Sequence, residues 1–386
     1  MPVITVRHGT GSYPVYIEPG AVGRLNEFSA SHLPGRRLAL ISDTIVYPLF
    51  ERFRSGGSEW RLAPTGATGS GSVSLPQLSA ELVVPAGEAS KTRGRWAELS
   101  DALLERGFGR DSAIVALGGG MVGDLAGFVA ATYLRGVPCL QVPTSLLAMV
   151  DASVGGKTGV NTPLGKNLVG AFHPPVAVLA DPAALRSLRS AQRRAGLVEA
   201  LKHGLAADAR YFEWITANAA RLGGGDAGLL EELVSRSVRI KAAVVMEDEQ
   251  EQGRRAILNA GHTVGHAIEQ VTNFSILHGE AVGIGLVAES LIAERVGVAE
   301  AGLSDQVRNA LLLLGCATAL EPAWSIDALL AAMARDKKVR GDELRFALAA
   351  GVGAMAGGNK IWTVPVPEAV VREVLEGLRR NGGGSG

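Results

Sequence analysis

The hydrophobic pattern in the first half of the chain predicts buried strands that alternate with helices. Short apolar runs that end at polar or glycine-rich turns, as buried parallel strands do, occupy 38–43, 81–84, 113–117 and 176–181. Between them, residues 92–106 carry apolar side chains at helical spacing, and Gly107 follows as a C-cap. Residues 113–131 then read as strand, glycine loop and helix, which predicts an α/β domain of the nucleotide-binding type.

The period of the apolar positions changes to 3.6 after residue 182, which predicts a mostly helical second domain. The sequence thus predicts an α/β dinucleotide-binding domain over 1–182, a helical domain over 183–380 and a disordered tail over 381–386. The composition of 63–76 predicts a flexible surface insertion. Helices are predicted at 195–205, 229–244, 256–271, 281–296 and 304–314, with a local hairpin strand at 344–348.

Composition narrows the class of protein. Hydrophobic residues make up 47% of the 386 residues and charged ones 20%, with 38 basic against 38 acidic side chains, so a disordered polyampholyte and a bulk nucleic-acid binder are both disfavoured. Only two cysteines occur, which argues against a disulfide framework. The N-terminus lacks the apolar core of a signal peptide, and no run reaches the ~18 apolar residues that a membrane span requires. We therefore expect a soluble cytoplasmic protein with no membrane partner.

A glycine loop at 118–124 is the first candidate for chemistry. Glycines directly after a buried strand let backbone N–H groups approach a pyrophosphate, and the next helix adds its positive end. The loop lacks the G-x-G-x-x-G spacing and has no following Lys-Ser/Thr pair, so a structural tight turn remains open. Asp124, at the predicted helix start, suits capping as well as cofactor binding.

A set of histidines is the second candidate. His262 and His266 lie one predicted helical turn apart, and His278 follows in a Leu-His-Gly-Glu sequence. This spacing suits a metal site that takes a carboxylate from another helix, and it also suits one ligand beside an acid-base group. A pair of structural histidines is the alternative.

Lysines are the third candidate. Only eight of the 38 basic residues are lysines. Two of them lie in a glycine-rich segment that is predicted to be a loop with little else to bury. Lys157, Lys166 and Asn167 in this segment favour an anion site.

The chain closely resembles the 3-dehydroquinate synthase family. The resemblance runs in order over nearly the whole chain and is weakest between 51 and 80. It is carried by residues 118–127, 151–161, 165–167, 199–202, 258–266, 277–282 and 336–341. It implies an N-terminal dinucleotide-binding domain and a helical C-terminal domain that holds a divalent metal, zinc or cobalt.

Position by position, the resemblance implies three sets of site residues. The metal ligands would be Glu199, His262 and His278. NAD would be bound by Asp43, Glu88, Lys91, Gly119, Gly120, Met121, Asp124, Thr144, Ser145, Leu147, Asp151 and Lys166. Substrate binding and catalysis would fall to Asp151, Lys157, Lys166, Asn167, Lys202, Lys241, Arg255, Asn259, His266, Lys337 and Lys338, with Arg135 reaching the site of a partner subunit in a homodimer. Seven of the eight lysines therefore lie on motif positions.

The resemblance implies that 3-deoxy-D-arabino-heptulosonate 7-phosphate is converted to 3-dehydroquinate and phosphate. A related cyclase that makes a cyclitol, or a polyol dehydrogenase, would share the NAD and metal requirements. The alternative outside the enzymes is a regulatory nucleotide-binding protein that keeps the fold of an enzyme but not its activity. No metal ligand and no motif lysine is missing, which argues against that last alternative.

Overall fold

The structure, a computed structural model, describes residues 3–55, 77–337, 344–359 and 361–381. The predicted insertion at 63–76, Lys338 and, apart from Asn381, the predicted tail at 381–386 lie outside these residues. Among the described residues, no helix is both long and apolar enough to cross a membrane.

Thirteen strands lie in the described parts of the chain. They are β1 (Val3–His8), β2 (Gly11–Ile17), β3 (Arg37–Asp43), β4 (Leu78–Val84), β5 (Ser112–Gly118), β6 (Cys139–Pro143), β7 (Lys157–Thr162), β8 (Gly165–Phe172), β9 (Ala177–Ala180), β10 (Arg345–Phe346), β11 (Ala349–Gly351), β12 (Ala354–Met355) and β13 (Val364–Pro365).

Seven of these strands form one sheet in the order β1-β2-β9-β6-β5-β3-β4. All neighbours are parallel except β1 and β2, which form an antiparallel hairpin at one edge. Every residue of β5 is buried, as expected for a central strand that helices cover on both faces. The predicted strands at 38–43, 81–84, 113–117 and 176–181 are confirmed, with end points that differ by a few residues at most.

Thirteen α-helices are present in the described residues. They are α1 (Leu25–His32), α2 (Val46–Arg54), α3 (Arg93–Glu105), α4 (Gly120–Thr132), α5 (Ser190–Ala207), α6 (Ala209–Ala217), α7 (Ala219–Gly224), α8 (Ala227–Glu247), α9 (His262–Val271), α10 (His278–Arg295), α11 (Leu303–Leu313), α12 (Ile326–Lys337) and α13 (Glu368–Asn381).

The chain divides into two compact units. The first comprises Met1–Arg189 with Leu230–Met246 and contains the seven-stranded sheet. The second comprises Ser190–Leu229 with Glu247–Gly386 and contains α10, which packs against both α5 and α9. The α/β and helical fold classes are thus confirmed, while the predicted boundary at 182 stays a prediction.

Four local predictions are wrong. The glycine-rich segment predicted as a loop is the antiparallel hairpin of β7 and β8, because its glycines let the two backbones approach closely. The predicted helix at 256–271 is broken into a 3-10 helix (Arg254–Asn259) and α9. The strand predicted at 344–348 is only two residues long and pairs with β13 instead of forming a local hairpin. Asp124 lies in the second turn of α4, whose N-cap is Gly119.

The break before α9 has a specific cause. Gly261 adopts a left-handed conformation with φ of +77°, which favours glycine. Its carbonyl oxygen lies so close to Gly285 of α10 that a Cβ on Gly285 would be 2.0 Å away. A Cβ on Gly279 would likewise be 2.2 Å from the carbonyl oxygen of Ala195 in α5. Glycines therefore allow the close approach of α5, α9 and α10.

We predict that Gly285→Ala destabilises the second unit by about 2 kcal/mol or more, because a new methyl group would be forced against backbone that cannot move aside. Gly283→Ala on the same helix is the matched control, since its nearest neighbour would be a leucine side chain atom at 3.5 Å. That variant should be neutral or gain up to about 1 kcal/mol from helix propensity. Urea unfolding followed by circular dichroism measures both, and equal losses would contradict the packing described.

Candidate active-site residues

The glycine loop connects β5 to α4 in the first unit. A Cβ on Gly118 would lie 2.6 Å from the Val122 side chain, so the turn requires glycine at that position. Gly119, the N-cap residue of α4, makes no side-chain cap hydrogen bond. The first turn of α4 therefore presents backbone N–H groups that could donate hydrogen bonds to an anionic phosphate.

Three further predicted cofactor residues lie beside this loop. The backbone N–H of Thr144 donates to the Gly118 carbonyl at 2.9 Å. A Cβ added to Gly119 would lie 3.4 Å from the Ser145 side chain. A Cβ added to Gly120 would lie 3.5 Å from the Leu147 side chain. Met121 packs against the hydrophobic core formed by the sheet and α4.

A polar network joins the segment 88–91 to the β7–β8 hairpin. The buried Lys91 ammonium lies 2.5 Å from both the Asp124 Oδ2 and the Asn167 Oδ1. The Glu88 Oε1 accepts from the Asn161 Nδ2 at 2.8 Å and lies 3.6 Å from the Lys166 ammonium. The structure thus brings together five residues that sequence reasoning placed in the cofactor and substrate sets, namely Glu88, Lys91, Asp124, Lys166 and Asn167.

Ionisation within this network is shifted by burial. Burial raises the pKa of the Asp124 carboxyl, and the Lys91 ammonium opposes that rise. Because Lys91 has three N–H donors, it can contact both Asp124 and Asn167 at once.

Asp151 and Lys241 form a second pair in the first unit. The Lys241 ammonium forms an ion pair with the Asp151 carboxylate and donates to the Asp151 backbone carbonyl at 2.6 Å. Asp151 lies in a single π-helical turn (Ala148–Ala152), a distortion that is frequent at functional sites.

Asp43 has a local role. Its Oδ1 accepts from the backbone N–H groups of Ile45 and Val46 at 2.8 and 2.9 Å, at the end of β3. This turn occupies one carboxylate oxygen, so a ribose contact would use the other.

Glu199, His262 and His278 form a cluster in the second unit. They lie on α5, α9 and α10, and one ligand atom of each lies within 4.8 Å of the others. The Nε2 atoms of His278 and His262 lie 3.5 and 4.0 Å from the Oε1 of Glu199, which is completely buried. A carboxylate and two imidazoles on three helices are a ligand set that suits a zinc ion with an open position.

The Nδ1 atoms of these two histidines point away from Glu199. The His262 Nδ1 lies 3.0 Å from the Ala260 carbonyl, and a carbonyl can only accept, so this nitrogen carries the proton. The His278 Nδ1 lies 3.3 Å from the Glu269 carboxylate. His266, Glu269 and His278 form a second cluster that meets the same geometric criterion.

The pKa values of the two histidines in the Glu199 cluster are shifted in opposite directions. Burial, aided by the Lys202 ammonium, holds the pKa of His262 well below its usual range, which keeps the imidazole neutral as a metal ligand must be. Burial also acts to lower the pKa of His278, but the carboxylates of Glu199 and Glu269 outweigh it and raise the pKa to about 10. Lys202 lies 2.5 Å from the Glu199 Oε2. The ring centroids of His262 and His266 are 5.2 Å apart, as the predicted common face requires.

Arg255 and Asn259 belong to the 3-10 helix that precedes α9. The Arg255 side chain is buried, and its backbone N–H donates to the Asp248 Oδ2 at 2.9 Å. The Asn259 Nδ2 donates to the Glu251 Oε1 at 2.7 Å.

Two of the predicted substrate residues are exposed, and two lie wholly or partly outside the described parts of the chain. Arg135 and Lys157 are exposed in the first unit, on the turn after α4 and on β7. Lys337 is the last residue of α12. Its side chain and all of Lys338 lie outside the described parts of the chain.

Sequence reasoning missed three polar residues of these networks. Asn161 contacts Glu88, Glu251 contacts Asn259, and Glu269 contacts His278. Glu269 follows His266 by three residues on a predicted helix, so helical periodicity places it on the histidine face. No comparable spacing signal marks the other two.

Solved structures with the same fold include two synthases. A 2-deoxy-scyllo-inosose synthase superposes with a TM-score of 0.83 at 24% identity, covering 97% of this chain and 99% of that one. A 2-epi-5-epi-valiolone synthase from Streptomyces hygroscopicus, solved with NAD+ and Zn2+, has a TM-score of 0.81 at 26% identity, covering 99% of this chain and 100% of that one. A probable glycerol dehydrogenase from Sinorhizobium meliloti has a TM-score of 0.61 at 18% identity, covering 96% and 98% of the two chains. The chain therefore has a fold that these two synthases and the probable glycerol dehydrogenase share.

Family models make the classification more specific. The model described as 3-dehydroquinate synthase N-terminal matches residues 81–195, and the C-terminal model matches 196–339. The 3-dehydroquinate synthase of Rhodospirillum rubrum is 44% identical over 384 residues, covering 98% of this chain and 94% of the relative. That of Symbiobacterium thermophilum is 42% identical over 375 residues, covering 96% and 99%. This chain belongs to the 3-dehydroquinate synthase family.

Mutation of one histidine from each cluster shows which cluster binds the metal. His262 belongs only to the cluster with Glu199, and His266 belongs only to the cluster with Glu269. We predict that His262→Ala loses bound zinc and that His266→Ala, the matched control, retains it. Elemental analysis of the purified variants measures this, and loss of zinc from His266→Ala alone would move the metal to the second cluster.

Proposed function

We propose that this protein is a 3-dehydroquinate synthase, a carbon–oxygen lyase that converts 3-deoxy-D-arabino-heptulosonate 7-phosphate to 3-dehydroquinate and phosphate. The observation that carries the proposal is the Glu199, His262 and His278 cluster, in a chain that is 42 to 44% identical to named synthases over nearly its full length. The reaction serves the shikimate pathway and aromatic amino-acid biosynthesis.

The residues present fit the two cofactors that such a reaction requires. We assign the metal to Glu199, His262 and His278, whose donor atoms converge. We assign NAD to the glycine loop with Glu88, Lys91, Asp124, Thr144, Ser145 and Leu147, and Asp43, Met121, Asp151 and Lys166 complete the assigned set. When bound, NAD accepts and returns a hydride, and zinc or cobalt acts as a Lewis acid on a substrate oxygen.

The chain's own residues bind the substrate anions and hold protons. Lys157, Lys166 and Asn167 are assigned to the phosphate, and His266 is assigned to hold a proton for the leaving group. Lys202 neutralises part of the Glu199 charge at 2.5 Å. The buried Arg255 and Lys241, with Asn259 and the Lys337–Lys338 pair, are assigned to the rest of the substrate and its carboxylate. The substrate phosphate assists as base in its own elimination, so no strong protein base is needed.

A cyclase that makes a cyclitol is the second candidate, because two such enzymes share the fold. Their identity to this chain is 24 and 26%, against 42 and 44% for the named 3-dehydroquinate synthases. This difference favours the heptulosonate phosphate as substrate.

We also propose a homodimer in the cytoplasm. Arg135 is exposed and has φ of +69° directly after Leu134 at +49°, and two such non-glycine residues in succession are a strained arrangement typical of functional positions. In the same unit, Leu164, Leu168 and Phe172 of the β7–β8 hairpin are exposed apolar side chains that suit a subunit interface. Cys139 and Cys316 are both buried and free, which supports a reducing compartment.

The reaction itself is tested by a phosphate-release assay on the heptulosonate phosphate. We predict that release requires both NAD and the divalent metal and that no NADH accumulates at 340 nm, because the hydride is returned in each turnover. Enzyme that has been stripped of NAD is the control. Stoichiometric NADH without phosphate release would instead indicate a polyol dehydrogenase.

The dimer assignment is tested by complementation. Arg135→Ala and Lys202→Ala should each be nearly inactive, and mixed subunits should regain part of the activity because one site of each heterodimer has both residues intact. Subunit exchange is verified separately with labelled chains. Exchange without any recovered activity would place Arg135 in the site of its own subunit.

A further inference from the structure

Both histidines of the Glu199 cluster use their two ring nitrogens in the same way. Each presents Nε2 towards the Oε1 of Glu199, and each has an oxygen atom beside its Nδ1. For His262 that oxygen is the neutral carbonyl of Ala260, at 3.0 Å. For His278 it belongs to a carboxylate, that of Glu269 at 3.3 Å.

We propose that Glu269 is a positioning residue of the metal site, whose carboxylate accepts a hydrogen bond from the His278 Nδ1 and so presents the His278 Nε2 to the metal. This inference rests on the proposed metal site at Glu199, His262 and His278. It assigns Glu269 no contact with the metal or with the substrate.

The location of Glu269 suits this role. It lies on α9, the helix that begins with His262, while His278 begins α10. Only 1% of Glu269 is exposed to solvent, so water competes little for its carboxylate. An imidazole that donates from Nδ1 is held in one tautomer and one ring orientation, and a carboxylate partner makes the other nitrogen a stronger donor to a metal.

The alternative is that Glu269 is itself a ligand, with His266 and His278. In that case His278 would bind the metal through Nδ1, and its Nε2 would still face the Glu199 carboxylate. The arrangement of His262, whose Nδ1 faces a carbonyl and whose Nε2 faces Glu199, has no role in that alternative. The common direction of both Nε2 atoms therefore favours Glu269 as a positioning residue.

Zinc affinity of the purified chain, measured by competition with a chromophoric chelator, tests the inference. Glu269→Gln keeps an oxygen acceptor and loses the charge, so zinc should bind about tenfold more weakly. Glu269→Leu loses both and should bind about a hundredfold more weakly. With cobalt in place of zinc, the visible absorption bands of both variants should differ from those of the unmodified chain.

Glu294→Gln is the matched control. Glu294 lies on α10 and accepts from the backbone N–H groups of Gly302 and Ser304, away from the histidines. Its replacement removes one carboxylate charge from the helix that carries His278 without changing a contact of the histidines, so zinc affinity and the cobalt spectrum should stay unchanged. If Glu269→Leu does not fold, Glu269→Gln carries the test.

The outcomes separate this inference from the proposed function. Unchanged zinc affinity and an unchanged cobalt spectrum in both Glu269 variants would overturn the positioning role and leave the metal site intact. Failure of the unmodified chain to bind zinc or cobalt would overturn the metal site and the inference together. Complete loss of zinc from Glu269→Gln and His266→Ala, with zinc retained by His262→Ala, would show that Glu269 is a ligand.

Discussion

Burial of the Glu199 carboxylate is the constraint on which the second unit depends. A charged group with no exposed surface costs several kcal/mol unless opposite charges and donors surround it. Here Lys202 and two imidazoles do so, and they come from α5, α9 and α10. These helices can bring their side chains so close only because glycines such as Gly285 stand where a methyl group would collide with backbone. Packing and charge thus specify the same geometry.

The first unit applies the same principle to its lysines. Lys91 meets Asp124, and Lys241 meets Asp151, so each ammonium that is largely withdrawn from water has a carboxylate partner. Because an ammonium has three N–H donors, Lys91 contacts both Asp124 and Asn167, and Lys241 contacts both the carboxylate and the backbone carbonyl of Asp151. A guanidinium in the same place would spread its charge over a rigid planar fork. This difference explains why a chain with few lysines keeps them at these positions.

Much of this arrangement could be predicted from the sequence. Buried strands and amphipathic helices follow from hydrophobic period alone, and the spacing of His262 and His266 already indicated one shared face. The break at Gly261 could not be predicted, because it depends on a contact with Gly285, which lies more than twenty residues later in the chain. Helical spacing places Glu269 on the same face as His266, but its contact with His278 joins two different helices and could not be predicted from local spacing.

The central claim is that the substrate carries a carboxylate, and the most direct test is the ratio of kcat/KM for 3-deoxy-D-arabino-heptulosonate 7-phosphate to that for sedoheptulose 7-phosphate. Arg255, which we assign to the substrate carboxylate, is buried, and a charge-assisted hydrogen bond to that carboxylate would be lost with a substrate that has none. The account predicts a ratio of at least about one hundred, with Arg255→Ala lowering it mainly through the carboxylate substrate. Equal efficiencies for the two substrates in the unmodified enzyme would contradict the account and favour a cyclitol synthase.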